Sequence, residues 1–373
     1  MPECEWKGSP VWVEVDLNAI RANCRAVMAR VDVPIMGVVK ANAYGFGALQ
    51  VARVMVNEGV AWLAVARVSE ALDLRKEGFH LPILVFGYAA DGEVLQAADN
   101  QITLSLGSQE DLERLTGLLM QAGRRLNVHL KVDTGMGRYG VMGDELLALH
   151  QNAEKTGCIK ITGVYSHLSV VDSEATSAWT DDQLDRFNQA LASLSENGIH
   201  PEFVHCSNSA AALAEPRARY SMVRVGSAFL GIRPFYYSPL PDYLQRVISW
   251  KTRLASCRRL SAGWGVGYGH AYTASGDEWI GVAPVGYADG FRRAGGNQVL
   301  IAGKRADVVG KVCADACMIR LPEKTPIGTE IVLMGRQGDD SIELEELSER
   351  WNTAQADVTC GISARVARLY LGD

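Results

Sequence analysis

Along the first two-thirds of the chain, short apolar runs alternate with amphipathic stretches. The runs cover 35–39, 62–66, 83–86, 102–106, 128–132, 163–166, 203–206 and 222–225. Between them, apolar residues recur at helical spacing over 48–58, 69–77, 109–122, 143–156 and 181–197. Several of these stretches carry start signals; Ser69, for example, precedes Glu70 and an apolar-periodic run. Strands that alternate with helices pair in parallel, because the helix supplies the crossover a parallel pair needs. Eight such units predict an α/β fold, a closed (β/α)8 TIM barrel. A doubly wound open sheet is the alternative topology.

After Pro241 the texture changes. Strand-like runs at 247–254, 279–284, 298–301, 306–312 and 330–334 are punctuated by turn signals such as Gly295-Gly296 and Gly338-Asp339. This predicts a barrel domain over 1–240 and a mostly β C-terminal domain, largely antiparallel, over 241–373. One run, 12–15, lies ahead of the helical stretch 18–30 and of the first barrel strand. It is expected to pair with the C-terminal domain.

Composition narrows the partners. The 373 residues suit two domains, with 48% apolar and 21% charged residues and no low-complexity segment. A net charge of −6 argues against a nucleic-acid binder, which needs a basic face. No run of about 18 apolar residues occurs, and 1–10 has no signal-peptide core, so neither a membrane span nor export is expected. The cysteines stand at 4, 24, 158, 206, 257, 313, 317 and 360, and only Cys313 and Cys317 are close. That spacing makes no zinc site, and it fits reduced thiols in a cytoplasmic protein. Small molecules are the expected ligands, with no metal.

A barrel places its chemistry just past the C-terminal ends of its strands. The first run ends in Lys40, a costly residue there unless it is paired or has chemistry to do. A desolvated amine suits Schiff-base formation with an aldehyde; the same residue also reads as a lysine snorkelling at a strand end. The fifth run leads into Lys131 and Asp133 on one face, with Arg138 in the loop. The sixth leads to His167, the seventh to Ser207-Asn208-Ser209, and the eighth to Arg224-Val225-Gly226-Ser227. The Gly-Ser turn with Ser209 nearby offers N–H groups suited to a phosphate, and the loops after strands seven and eight are the usual phosphate site of a barrel.

These segments resemble the alanine racemase family, the fold-type III pyridoxal-phosphate amino-acid racemases. The resemblance is carried by 38–47 (VVKANAYGFG), 131–140 (KVDTGMGRYG), Asn208-Ser209, 266–273 (VGYGHAYT), 286–293 (GYADGFRR) and 360–368 (CGISARVAR). It covers essentially the whole chain from Pro10. It implies an isomerase that interconverts L- and D-alanine with pyridoxal 5'-phosphate, as a homodimer with shared active sites. By the same resemblance Lys40 is the cofactor lysine and one of two acid/base groups. Tyr268, from the partner subunit, is the other. Tyr44, Asn208, Ser209, Gly226 and Ser227 match phosphate-side positions, and Arg224 the arginine at the pyridine nitrogen. Arg138 matches the arginine near the phenolic oxygen and the substrate carboxylate. Lys131 matches a lysine that is often carbamylated, and His167 a histidine between Tyr268 and Arg224. Tyr287, Ala314 and Asp315 match substrate-side positions given by the partner subunit.

The chain departs from the family pattern at three places. Phe46 stands where a histidine is usual. Ala356 stands where a tyrosine usually bonds the phosphate and narrows the pocket. Ala314-Asp315-Ala316 replaces the usual Met-Asp-Gln. The small residues imply a wider pocket, so a serine or broad-specificity amino-acid racemase is the alternative function. Tyr268 in VGYGHAYT separates the chain from the barrel-plus-β decarboxylases, which usually carry cysteine in that motif. The C-terminal domain separates it from single-barrel cofactor carriers. Intact Lys40, Arg138, His167, Arg224 and Tyr268 argue against a dead descendant.

Overall fold

A computed structural model describes residues 8–171, 177–235 and 238–372. Cys4 and the first seven residues of the N-terminal segment lie outside them. By its contacts the chain forms two compact units. One takes in the chain up to Ala19, Tyr44–Gly47 and the chain from Arg246 onward; the other is Ile20–Ala43 with Ala48–Gln245.

The first strand, β1 (Val11–Asp16), belongs to the former unit. The other unit is built on eight parallel strands: β2 (Ile35–Val38), β3 (Trp62–Val65), β4 (Ile83–Val85), β5 (Ile102–Leu106), β6 (Leu126–Lys131), β7 (Ile159–Tyr165), β8 (Phe203–His205) and β9 (Val223–Val225). Helices Ala48–Asn57, Val68–Lys76, Asp91–Asp99, Gln109–Ala122, Leu146–Lys155, Ser177–Glu196 and Ser209–Ala214 make the crossovers. Hydrogen-bonded order runs from β8 back through β2 to β9. The remaining gap is spanned where Ser221 N donates to Val204 O (3.1 Å) and Val204 N donates to Ser221 Oγ (2.7 Å). The result is a nearly closed TIM-type barrel.

Strands β2, β3 and β4 are buried on both faces, which is why they read as unbroken apolar runs. Helix Gln109–Ala122 shows how local chemistry sets the boundaries. Ser108 caps its start by accepting from Asp111 N at 3.0 Å, and Gly123 ends it in the left-handed region at φ 63°.

The unit that holds β1 is mostly β. Its strands are β10 (Ile248–Arg253), β11 (Ser256–Leu260), β12 (Gly265–Val266), β13 (Tyr272–Thr273), β14 (Glu278–Ala283), β15 (Gln298–Ile301), β16 (Lys304–Val309), β17 (Cys317–Leu321), β18 (Glu330–Gln337), β19 (Asp340–Ile342) and β20 (Ala367–Leu371). The main sheet runs β11-β14-β17-β16-β15-β18-β10-β1-β20. In it β1 pairs antiparallel with β10 and parallel with β20. Its core stacks Trp250 on Phe291 and Phe291 on Trp351, each edge-to-face at 5.9 Å between ring centres. Short helices Leu344–Arg350 and Gln355–Gly361 complete it.

Candidate active site

Because all eight barrel strands run the same way, the residues that follow them meet at one mouth. Lys40 follows β2, Lys131 ends β6, His167 follows β7, Asn208 and Ser209 follow β8, and Arg224 lies in β9 ahead of Gly226 and Ser227. Since β2 pairs with β9 through Gly37 and Val225, Lys40 and Ser227 continue from neighbouring strand ends.

Arg224 organises the floor of the mouth. It is 3% exposed. Its Nη1 donates to His205 Nδ1 at 2.7 Å. Its Nη2 shares its two hydrogens among Ser166 O (2.9 Å), Cys206 O (3.0 Å) and His167 Nδ1 (3.1 Å). A guanidinium only donates, so these bonds fix the tautomers. The Nδ1 of His205 must accept, so its Nε2 carries the proton and donates to His129 Nδ1 at 3.0 Å. The Tyr165 ring stacks on His205 at 4.9 Å, and its hydroxyl pairs with Ser105 Oγ at 2.6 Å. Gly163 makes room for the relay, because a Cβ there would sit 2.8 Å from the His129 ring.

Burial, then the Arg224 charge, pushes the His129 imidazole down to about 3. Burial, Arg224, Lys131, Arg138 and Lys40, in that order, push His167 down to about 2. Burial first and Arg224 next bring the Lys131 amine down to about 7, while Asp133 opposes them. Lys131 Nζ donates to Val132 O at 2.9 Å and lines a cleft of about 380 Å³ with Ser105, Tyr88, Arg114 and Tyr139. Burial raises the Asp133 carboxyl, but N–H donors from Gly135, Met136 and Arg138 outweigh it and hold it below the usual range. Those bonds shape the loop that presents Arg138, which is exposed. Arginine and lysine cations over neutral imidazoles make a mouth that attracts anions.

Ser209 Oγ accepts from Gly226 N (3.1 Å) and Ala228 N (3.4 Å), which ties the loop after β8 to the loop after β9. Asn208 caps the helix that follows, its Oδ1 accepting from Ala211 N at 3.0 Å. Just beyond Lys40 the backbone turns left-handed: Ala41, Asn42, Ala43 and Tyr44 have φ of 53°, 55°, 50° and 55°. Residues with a Cβ occupy that region at a cost of roughly 1–2 kcal/mol each.

In the β unit, Tyr268 opens a short turn and is 66% exposed. The turn abuts the 310–316 segment: a Cβ at Gly267 would meet Lys311 N at 3.3 Å. The same segment receives the loop of Tyr287, whose N–H donates to Cys313 O (3.0 Å), and Ala288 N donates to Ala314 O (2.8 Å). Tyr287 and Asp315 are exposed. Tyr268, Tyr287, Ala314 and Asp315 thus lie on neighbouring loops of that unit.

The sequence reading did not single out His129, His205, Tyr165 or Ser105. His129 lies two residues before Lys131 on the same strand face, and His205 pairs in register with Tyr165. The period-two rule, counted back from Lys131, points to His129.

Comparisons with known proteins match the chain over nearly its whole length. The family model "Alanine racemase, N-terminal domain" matches 15–234, and "Alanine racemase, C-terminal domain" matches 247–370. The alanine racemase of Symbiobacterium thermophilum is 41% identical over 369 residues, 98% of each chain. That of Geobacillus stearothermophilus is 40% identical over 371 residues, 96% of this chain and 93% of its own. The crystal structure of Bacillus anthracis alanine racemase with bound L-Ala-P superposes with a TM-score of 0.94 at 36% identity, covering 98% of this chain and 95% of that one. A histidine racemase from Leuconostoc mesenteroides superposes at 0.89 with 26% identity, covering 98% and 99%. A TIM-type barrel with a mostly β second unit and these relatives define a pyridoxal-phosphate-dependent amino-acid isomerase. The chain belongs to the alanine racemase family. No described helix is long and apolar enough to cross a membrane.

Proposed function

We propose that the protein interconverts L- and D-alanine in the cytoplasm as a homodimer, with Lys40 serving one face of the substrate and the partner subunit's Tyr268 the other. The observation that carries the reading is the mouth itself: a lysine just past one barrel strand, beside a Ser209–Gly226 cradle and a buried arginine. That donor set fits pyridoxal phosphate, with an amine for its aldehyde, N–H and hydroxyl groups for its phosphate, and a permanent cation for its ring. When bound, the cofactor supplies an electron sink that acidifies the substrate's α-proton.

The chain's own residues do the rest. Tyr44, Asn208, Ser209, Gly226 and Ser227 hold the phosphate. Arg224 donates toward the ring nitrogen and, staying protonated, discourages that nitrogen from taking a proton. Arg138 draws in the carboxylate. Lys131, with its amine near 7, adds carbon dioxide with loss of a proton to become a carbamate, and orients Arg138. His167 accepts from Arg224, and so stays neutral toward the phenol side. The partner's Tyr287, Ala314 and Asp315 close the substrate side.

Mixing subunits tests the reading. Lys40→Ala and Tyr268→Phe homodimers are each expected to lose at least about 1,000-fold in racemisation, measured by chiral product analysis. Heterodimers of the two carry one intact site when that site is shared, and should regain up to half of wild-type turnover. A tyrosine acting within its own subunit would leave the heterodimer inactive.

A second reading widens the substrate set, and Ala314, Ala316 and Ala356, together with the superposed histidine racemase, favour it. An apolar pocket rejects an added hydroxyl by only about 100-fold even when well fitted. In this reading serine is turned over within about tenfold of alanine, and Ala356→Tyr lowers serine kcat/KM more than alanine kcat/KM. A panel of L-amino acids that yields D-alanine alone would remove it.

A further inference from the structure

We propose that Glu70 is a positioning residue for Lys40: its carboxylate clamps the left-handed turn that starts one residue beyond that lysine. Ala41, Asn42 and Ala43 lie at φ/ψ of 53/49°, 55/47° and 50/53°, and Tyr44 continues at φ 55°. Consecutive residues with a Cβ avoid this region, because the Cβ crowds the following carbonyl oxygen. Such a turn persists only where its surroundings over-determine it.

Two restraints on the turn come from its own neighbours in sequence. Ala43 N donates to Val39 O at 2.8 Å, and Asn42 Oδ1 accepts from Ala48 N at 2.8 Å. The third comes from the next strand's loop: Glu70 Oε1 accepts from Ala41 N at 2.5 Å. The other carboxylate oxygen, Oε2, accepts from Ala66 N (2.9 Å) and Arg67 N (3.0 Å). One side chain therefore joins the segment after β2 to the segment after β3, two strands paired through Val38 and Ala64. Capping of helix Val68–Lys76 accounts for the bonds to Oε2. It does not account for the reach of Oε1 to Ala41.

An ionised carboxylate can accept at both oxygens, and an amide cannot. In Glu70→Gln the NH2 group faces either the Ala41 N–H or the Ala66 and Arg67 N–H pair, so one anchor is lost whichever way the amide turns. Glu70→Asp keeps the charge but is one methylene too short to span both loops. Ala41→Gly acts from the other side, because glycine enters the left-handed region without the Cβ clash and needs less holding.

The consequence for cofactor binding rests on the assignment of Lys40 above; the consequence for the turn does not. In the holoenzyme, Glu70→Gln and Glu70→Asp are expected to speed amide hydrogen exchange in peptides covering 39–45 by about tenfold or more. Release of pyridoxal phosphate should accelerate by a similar factor, with the urea midpoint close to wild type. Adding Ala41→Gly should recover most of the lost cofactor retention. Faster exchange confined to 67–72, with no recovery by Ala41→Gly, would reduce Glu70 to a helix cap and overturn the proposal. Unchanged exchange at 39–45 in both variants would overturn it as well. Faster exchange at 39–45 with unchanged cofactor release would keep the clamp and sink the assignment of Lys40.

Discussion

Lys40→Ala should leave a folded protein that binds pyridoxal phosphate weakly, shows no near-visible absorption band and racemises at least about 1,000-fold more slowly. The size follows from losing two functions at once. A positioned acid/base group contributes about 100- to 10,000-fold, and the covalent tether to the cofactor goes with it. The fold should tolerate the change: Lys40 is half-buried at a strand end, and an alanine there leaves Val38 and Val39 buried as before. Thermal unfolding of the variant within a few degrees of wild type, with turnover lost, is the expected pair of results. A variant that keeps more than a few per cent of wild-type turnover would mean that another amine holds the cofactor.

The barrel was legible because most of its strand residues are buried, on both faces in β2, β3, β4 and β9. The run 102–106 and the helix 109–122 coincide with β5 and with Gln109–Ala122, where Ser108 and Gly123 mark the helix ends chemically. The run 163–166 is shorter than β7, Ile159–Tyr165, because Lys160 and Thr162 point away from the core and break the apolar pattern. Gly163, which reads as the start of the run, is an interior residue kept small by the His129 ring. In the second unit the apolar runs leave out β11, whose Arg258 and Arg259 are exposed, as well as β12, β13, β17, β19, β20 and both short helices near the C-terminus.

The site shows the same divide. Polar residues just after the strands were readable, since barrel geometry says where to look. The inward histidines were not, because a single histidine inside an apolar strand reads as core. The left-handed turn was the least legible feature. Its glycines, Gly45 and Gly47, come after the residues that carry the unusual geometry, and the restraint on Ala41 lies 29 residues away in Glu70.

The buried imidazoles carry a large pH dependence of stability. His129 and His205 are fully buried. Burial and then Arg224 hold His129 down at about 3, and burial, Arg224 and His129 hold His205 well below its ordinary value. In the unfolded chain both titrate near 6.5. Between about pH 6.5 and pH 3 the unfolded chain therefore binds more protons at His129 than the folded one, and His205 acts in the same direction, so the imidazole contribution to stability rises with pH through that window and levels off above it. Each imidazole contributes up to about 1.4 kcal/mol per pH unit. Going from pH 6.5 to 4.5 His129 alone should cost on the order of 2 kcal/mol, a sizeable part of the roughly 5–15 kcal/mol that holds a domain together. The folded state resists protonation for a geometric reason. The Nδ1 of His205 must accept from Arg224 Nη1, and a proton there would set an N–H against an N–H and a cation against a guanidinium. Urea midpoints measured between pH 8 and 4.5 check this, with His129→Gln as the comparison. Glutamine can accept from His205 Nε2 but does not titrate, so the acid slope should fall, while His205 and His167 keep the rest of it. Equal slopes in the two proteins would show that other groups carry the acid transition. Because the same proton that unfolds the barrel also breaks the hold on Arg224, loss of racemisation in acid should follow the stability curve of each variant.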